Sequence, residues 1–131
     1  MAKKILIVDD NEDVAKGLRI FLRAQNYATV IASDAVAAIS QAKKENPDLI
    51  VLDLGLPAGD GYVVMERLSN VESLASIPVI VFTAQDEEAH KEESLKAGAK
   101  AFFQKPVDNA VLLSTIRQIL EGPSRMQLAD L

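Results

Sequence analysis

Residues 48–53 read DLIVLD, four consecutive apolar residues between two aspartates, and this pattern is the clearest indication of the fold. Two further segments have the same character, KILIVD at residues 4–9 and IPVIVF at residues 77–82. Short β-branched runs without polar alternation are typical of strands buried on both faces, which occur in parallel sheets covered by helices. Shorter strands are predicted at residues 28–32 and 101–104.

Helical patterns separate these strands, and the predicted helices span residues 12–25, 34–45, 62–70, 87–97 and 109–121. Asn46 and Pro47 end the second helix, Gly98 follows the fourth, and Asp108 suits the N-cap of the last. A strand followed by a helix, five times over, predicts an α/β fold. The expected architecture is a doubly wound, five-stranded parallel sheet with right-handed crossovers and five helices.

The composition is that of one ordinary globular domain, with 131 residues, 49% of them hydrophobic and 25% charged. We expect this domain over residues 1–121, followed by a tail or the start of a linker at 122–131. The absence of cysteine excludes disulfides and thiolate metal sites. No apolar run is long enough to cross a bilayer and no signal peptide is evident, so we expect a cytoplasmic protein without a membrane segment. Scattered basic residues and a net charge of −5 argue against direct nucleic-acid binding.

Polar side chains follow the carboxyl ends of four predicted strands. Asp9 and Asp10 follow the first strand and Asp53 ends the third. Thr83 follows the fourth strand, and Lys105 the fifth. Each has an ordinary structural explanation, since aspartates favour helix starts and a lysine is usually solvated. Because ligands of open α/β sheets bind outside the carboxyl ends of the strands, the set together predicts a site.

The residue types at this predicted site suggest its chemistry. Three clustered carboxylates repel one another and need a cation, and oxygen ligands without His or Cys suit Mg²⁺ or Mn²⁺. With a metal and Lys105 present, the charge balance favours an anion such as a phosphoryl group. Carboxylates are known nucleophiles in the formation of aspartyl phosphates.

Four segments resemble, in order, the response-regulator receiver family of two-component signalling. They are ILIVDD at residues 5–10, LIVLDLGLPAGDGY at 49–62, VIVFTA at 79–84 and FFQKP at 102–106. The resemblance covers about residues 3–121, and the family includes the chemotaxis regulator. It implies the flavodoxin-like strand order 2-1-3-4-5.

The resemblance implies a role for each matching residue. Asp53 is expected to be the phosphoacceptor. Asp10, Asp53 and the backbone carbonyl of Gly55 are expected to bind Mg²⁺ directly, with Asp9 acting through a water molecule.

Further roles follow from the same resemblance. Thr83 is expected to be the switch hydroxyl, and Lys105 the lysine that pairs with the site before and after modification. Ala84 is the small residue that leaves room for the phosphoryl group, and Phe102 the aromatic that reports activation. The bond before Pro106 is expected to be cis.

The function implied is a signalling switch. A phosphohistidine on a histidine kinase or a histidine phosphotransfer protein would donate to Asp53. The surface made by the fourth helix, last strand and last helix would then control a downstream partner or a fused output domain, and phosphorylation-dependent dimerisation is a further expectation. The protein is expected to catalyse its own phosphorylation and dephosphorylation without being a conventional enzyme.

Two residues depart from the chemotaxis pattern and bear on the lifetime of the phosphoryl group. Gly55 stands where a side chain would shield the group, and Gln85 replaces an acidic residue. Phe102 replaces the frequent tyrosine. Elsewhere, His90 is interpreted as a solvated surface residue. Val111 lies outside the apolar stripe that the last helix is expected to turn toward the core.

Three alternative functions share parts of this pattern. A pseudo-receiver would use the same fold only as a binding scaffold, although the complete set of site residues argues against it. An aspartyl-nucleophile phosphohydrolase would need a D-x-D motif after the first strand, where Asn11 stands instead. An FMN-binding flavodoxin would need a phosphate loop rich in Ser, Thr and Gly at the same place.

Overall fold

The computed structural model describes residues 2–122, along which five strands and five helices alternate. The strands are β1 (Lys4–Val8), β2 (Ala28–Ala32), β3 (Leu49–Leu52), β4 (Val79–Thr83) and β5 (Ala101–Gln104). The helices are α1 (Glu12–Ala24), α2 (Ala35–Glu45), α3 (Gly61–Ser69), α4 (Glu87–Lys96) and α5 (Asn109–Glu121). All strand pairs are parallel, and their order β2-β1-β3-β4-β5 confirms the predicted fold class and strand order. Apart from Gly122, the predicted tail lies outside the described residues.

The sheet is buried on both faces, as the apolar strands predict. Alternate residues of a strand point to opposite faces. In β1, Leu6 and Val8 belong to the apolar cluster that includes α2 and α3. Ile5 and Ile7 belong to the cluster that includes α1 and α5. Within residues 2–122, no helix is long and apolar enough to span a membrane.

Each helix is preceded by an N-cap residue whose side chain accepts a hydrogen bond from a backbone N–H group of the first turn. The N-cap residues are Asn11, Asp34, Asp60, Asp86 and Asp108. Such caps satisfy N–H groups that have no partner within the helix. The predicted end signals are also confirmed, because Asn46 (φ 44°) ends α2 in the left-handed conformation and Gly98 (φ 113°) follows the C-cap of α4.

The predicted strand boundaries need small corrections that matter for the site. β1 ends at Val8 and β3 at Leu52, so Asp9 and Asp53 lie just beyond the strands. β4 begins at Val79 because Pro78 has no N–H to donate to a neighbouring strand. At its other end β4 includes Thr83, which pairs with Gln104 of β5.

Candidate functional site

The carboxyl ends of β1, β3, β4 and β5 bring the five candidate side chains to one edge of the sheet. Carboxylate oxygens of Asp9, Asp10 and Asp53 lie within 4.8 Å of one another. Lys105 Nζ enters the same cluster, 2.6 Å from Asp9 Oδ2 and 3.5 Å from Asp53 Oδ2. Thr83 completes it through a hydrogen bond to Asp53.

Asp53 is the most contacted member of this cluster. Its Oδ1 accepts hydrogen bonds from the Thr83 hydroxyl at 2.6 Å and from the Gly55 N–H at 3.2 Å. Its Oδ2 faces Lys105 Nζ. The backbone N–H of Asp53 donates to the Val8 carbonyl, which fixes the residue to the end of β1. The side chain keeps 12% of its surface exposed, so a partner molecule can reach it.

Asp9 and Lys105 form an ion pair within the site. Asp9 is only 4% exposed, and both of its carboxylate oxygens have partners. Oδ2 accepts from Lys105 Nζ and Oδ1 accepts from the Asn11 N–H at 2.8 Å. The Lys105 ammonium also lies 5.3 Å from the centre of the Phe82 ring, a distance at which a cation is attracted to the ring face. Asp10 is exposed on the solvent side.

Gly61, the first residue of α3, packs against the loop that carries Asp53. Its N–H donates to the Leu54 carbonyl at 2.9 Å. A Cβ at this position would lie 2.7 Å from the Asp53 carbonyl oxygen and 2.8 Å from Leu54 Cα. The sequence indicated only a turn and helix start at Asp60 and Gly61. Glycine is also required by the close approach of two backbones, a constraint that no local pattern shows.

The remaining site candidates lie in β5 and in the loops that follow β3, β4 and β5. Gly55 and Gln85 face each other, because a Cβ on Gly55 would lie 3.2 Å from Gln85 Nε2. Ala84 is exposed beside Thr83. Phe102 is 5% exposed and packs in the cluster that includes α2 and α3. The Lys105–Pro106 peptide bond is cis.

His90 does not behave as the sequence suggested. The interpretation of a solvated side chain is wrong, because the residue is half-buried and its Nδ1 lies 2.9 Å from the Tyr62 hydroxyl. Tyr62 comes from α3, 28 positions away in the sequence. The acidic neighbourhood of His90 within its own helix therefore gave no sign of this contact.

The donor set fits a hard divalent cation. Three carboxylates share the site with one ammonium group, which leaves the cluster acidic. All metal-ligating atoms of the cluster are oxygens, as Mg²⁺ and Mn²⁺ prefer. Asp10 is the carboxylate most open to solvent and so the easiest for an incoming ion to reach.

A family model described as "Response regulator receiver domain" matches residues 5–117. The chain belongs to the response-regulator receiver family. This membership confirms the resemblance noted in the sequence, and the protein is accordingly a receiver domain of two-component signalling.

Several proteins are similar to this receiver. The response regulator PleD of Caulobacter vibrioides is 34% identical over 119 residues, which are 91% of this chain and 26% of PleD. The alkaline phosphatase synthesis transcriptional regulatory protein PhoP of Bacillus subtilis is 38% identical over 120 residues, 92% of this chain and 49% of PhoP. The receiver thus spans between about a quarter and a half of these relatives.

A solved structure is similar over nearly its whole length. It is the receiver domain of the sensor histidine kinase PA1611 from Pseudomonas aeruginosa PAO1, with a TM-score of 0.85 and 26% identity. The match covers 92% of this chain and 99% of that domain. In that structure a magnesium ion is coordinated in the active-site cleft.

Proposed function

We propose that this receiver is a switch in which Asp53 accepts a phosphoryl group from a phosphohistidine. The donor would be a histidine kinase or a histidine phosphotransfer protein. The observation that carries the proposal is the environment of the Asp53 carboxylate. The Thr83 hydroxyl contacts one of its oxygens and the Lys105 ammonium faces the other, while enough surface stays exposed for a donor to approach.

The transfer is a substitution at phosphorus. A carboxylate oxygen of Asp53 forms a bond to phosphorus while the P–N bond to the donor imidazole breaks and its electron pair returns to the ring. Lys105 neutralises charge on the phosphoryl oxygens, so the contribution of the receiver is positioning and electrostatics. Water attacking the same phosphorus would reverse the modification, so the receiver would catalyse both its own phosphorylation and its own dephosphorylation.

We assign the metal site to the same edge of the sheet. Asp10, Asp53 and the backbone carbonyl of Gly55 would hold Mg²⁺ or Mn²⁺ directly, and Asp9 would act through a water molecule. The clustering of the three carboxylates supports this, as does the magnesium in the PA1611 receiver. The engagement of both Asp9 oxygens by Lys105 and Asn11 favours an indirect role for Asp9. When bound, the ion supplies positive charge that offsets the carboxylates and the phosphoryl oxygens.

The switch follows from contacts that differ between the two states. Modification removes the negative charge from the Asp53 oxygen that carries phosphorus and places it on phosphoryl oxygens further out. Thr83 and Lys105 then have better partners in a second position, and this differential contact shifts the population between two arrangements. Thr83 leads into α4 and Phe102 lies in β5, so we assign the responsive surface to α4, β5 and α5.

This α4–β5–α5 surface would control a downstream protein or an attached output domain, or support a phosphorylation-dependent dimer. Leu95 of α4 and Val111 of α5 are 41% and 50% exposed on the helices concerned. PhoP is named a transcriptional regulatory protein and is about twice as long as the matched region, which supports an output domain as one of these partners. The cytoplasmic location remains a prediction from the sequence.

The test is direct phosphorylation. The protein is incubated with Mg²⁺ and acetyl phosphate, and the intact mass is measured for the gain of one phosphoryl group. We expect labelling of the parent and none of Asp53→Asn. Asp60→Asn is the matched control, because it changes the same charge in the same loop while asparagine still caps α3. A parent that takes neither a phosphoryl group nor beryllofluoride would favour the pseudo-receiver, a scaffold that binds partners unmodified.

A further inference from the structure

Helix α4 is attached to the domain in a different way from the other helices. α1 and α5 each bury three apolar side chains, whereas the one buried residue of α4 is Ser94. The apolar residues of α4, Ala89 and Leu95, are both exposed. Because helices in proteins are stabilised mainly by packing of an apolar face, another interaction must hold α4 in place.

The first attachment is a hydrogen-bonded group between α3 and α4. The Tyr62 hydroxyl of α3 lies 2.9 Å from His90 Nδ1 and 3.4 Å from Ser94 Oγ. His90 and Ser94 are four residues apart and therefore share one face of α4. The hydroxyl is hydrogen-bonded to the ring nitrogen and accepts from Ser94, so a single oxygen links two successive turns of α4 to α3.

The second attachment is at the first turn of α4. The Glu87 N–H donates to Gln104 Oε1 of β5 at 2.8 Å. A first-turn N–H has no partner within its helix, so this side chain from another element serves as a cap. Gln104 is followed directly by Lys105 of the candidate site.

The charged residues of α4 support the helix itself. Glu87 pairs with Lys91 at 3.7 Å, and Glu92 with Lys96 at 3.1 Å, both with i,i+4 spacing. These side chains are more than half exposed. Such pairs favour helix formation by a few tenths of a kcal/mol and add nothing to docking.

We propose that α4 is docked by a polar clasp, consisting of Tyr62, His90, Ser94 and Gln104, and that it detaches as a unit more readily than the other helices. The clasp also connects α4 with the site. Tyr62 follows Gly61, which packs on the Asp53 carbonyl, and Gln104 precedes Lys105. A role of this connection in signalling would rest on the proposed function. The clasp itself does not, because it belongs to the unmodified protein.

Amide hydrogen exchange of the unmodified, metal-free protein tests the clasp. In the parent, the amides of α4 should exchange faster than those of α5, because fewer buried contacts oppose opening. Tyr62→Phe keeps the ring but leaves the Ser94 hydroxyl buried without its partner. We expect about tenfold faster exchange over residues 88–97, with the strand amides unchanged. Gln104→Met removes the second attachment and should likewise accelerate exchange along α4.

Matched variants separate the clasp from a general loss of stability. Tyr27→Phe removes the hydroxyl of the only other tyrosine, which is 8% exposed on the opposite face of the sheet, and should leave α4 exchange at the parental rate. Tyr62→Phe combined with Ser94→Ala removes both partners of the Ser94–Tyr62 hydrogen bond, so no Ser94 hydroxyl is left buried without a partner. The α4 amides of this double variant should exchange more slowly than those of Tyr62→Phe alone. If Tyr62→Phe unfolds the protein, Gln104→Met and Ser94→Ala carry the test. Unchanged α4 exchange, or acceleration shared equally with the sheet, overturns the clasp.

Beryllofluoride distinguishes this inference from the proposed function. Tyr62→Phe leaves every group that contacts Asp53 in place, so its Asp53 should still bind beryllofluoride. A parent that fails to bind it would contradict the proposed function and leave the exchange result standing. A parent that binds it normally, with α4 exchange insensitive to Tyr62 and Gln104, would contradict only the clasp.

Discussion

Asp9 and Asp10 are adjacent in the sequence, yet they face opposite environments. Asp9 is buried and its charge is balanced by Lys105 at 2.6 Å, whereas Asp10 is exposed and contributes its negative charge to the open side of the site. Lys105 therefore offsets the carboxylate that water cannot solvate. The charge that a metal would offset is mainly that of Asp10 and Asp53.

This difference gives a prediction for Asp10→Asn. We expect phosphorylation by acetyl phosphate in Mg²⁺ to fall at least about tenfold, because a direct ligand and its charge are lost. The fold should remain intact, and the thermal midpoint in metal-free buffer should stay equal or rise, since one repelling carboxylate is gone. Asp13→Asn, with the same charge change at an exposed position in the first turn of α1, is the control. Undiminished labelling of Asp10→Asn would contradict the assigned ligand.

Gly55 and Gln85 were predicted from the sequence to govern the phosphoryl lifetime, and the structure shows that they face each other. A side chain at position 55 meets the end of the flexible Gln85 side chain, which can move aside. We expect Gly55→Asn combined with Gln85→Glu to shorten the lifetime by about tenfold, because orienting a nucleophile commonly outweighs simple access to it. Phosphate release after removal of the donor measures this.

The two single variants complete the experiment. Because a side chain at position 55 would lie against residue 85, the effects of the two substitutions on the hydrolysis rate should not add. If the double variant holds its phosphoryl group longer than the parent, steric access governs hydrolysis and the orientation argument is wrong.

Among the strands and helices, the position of the site could be predicted from the sequence, because it depends only on which residues follow the strands. Each strand is a short apolar run, and the residue that follows it at the carboxyl end must lie at the same edge as the others. Asp53 and Lys105 could be placed in this way without any knowledge of the helices. The contact between Gly61 and the Asp53 carbonyl was not predictable, because it depends on how closely α3 approaches the loop after β3.

Gly61 gives the prediction for this element. Gly61→Ala should cost about 1–3 kcal/mol of unfolding free energy, since its Cβ would collide with backbone atoms that cannot rotate away. Asp53 should also be displaced, so labelling by acetyl phosphate should slow. Gly17→Ala is the matched control, because a Cβ there meets nothing within 4 Å and alanine is favoured by about 0.5–1 kcal/mol within a helix. Urea unfolding of both variants should therefore give shifts of opposite sign, and equal shifts would exclude the close-contact explanation.

For the whole molecule, the hydrophobic pattern was sufficient to predict the layering, because every strand and most helices bury apolar residues. The strand order came instead from the resemblance to the receiver family. The pattern predicted that α4 forms but not how it docks, because its docking depends on polar side chains from α3 and β5. His90 and Gln104 are ordinary polar residues in the sequence. Their partners, Tyr62 and the Glu87 N–H, lie 28 and 17 positions away.

Tyr27 precedes β2 and interacts with Arg117 and Glu121 of α5, and its burial gives a prediction about alkaline stability. Burial raises the pKa of Tyr27 above its usual value, with Glu121 adding to the rise and Arg117 opposing it. The folded protein thus holds this proton more tightly than the unfolded chain, so stability is lost as pH rises above about 10. The unfolding free energy of Tyr27→Phe should fall less steeply than that of the parent above that pH. Parallel curves in urea titrations at successive pH values would contradict this.

The last prediction concerns how modification of Asp53 spreads through the molecule. The Thr83 hydroxyl bonds the unmodified Asp53 oxygen at 2.6 Å, and that oxygen loses its charge once it carries phosphorus. Thr83 ends β4, and its neighbour in the sheet is Gln104, which caps α4. Phe102 is already buried, so α4 has the least apolar packing to lose when these contacts change. We expect amide exchange in the beryllofluoride form to change mainly between residues 84 and 103, and any dimer seen by sedimentation to require that form. Changes confined to α2 would show that the signal leaves the site by another route.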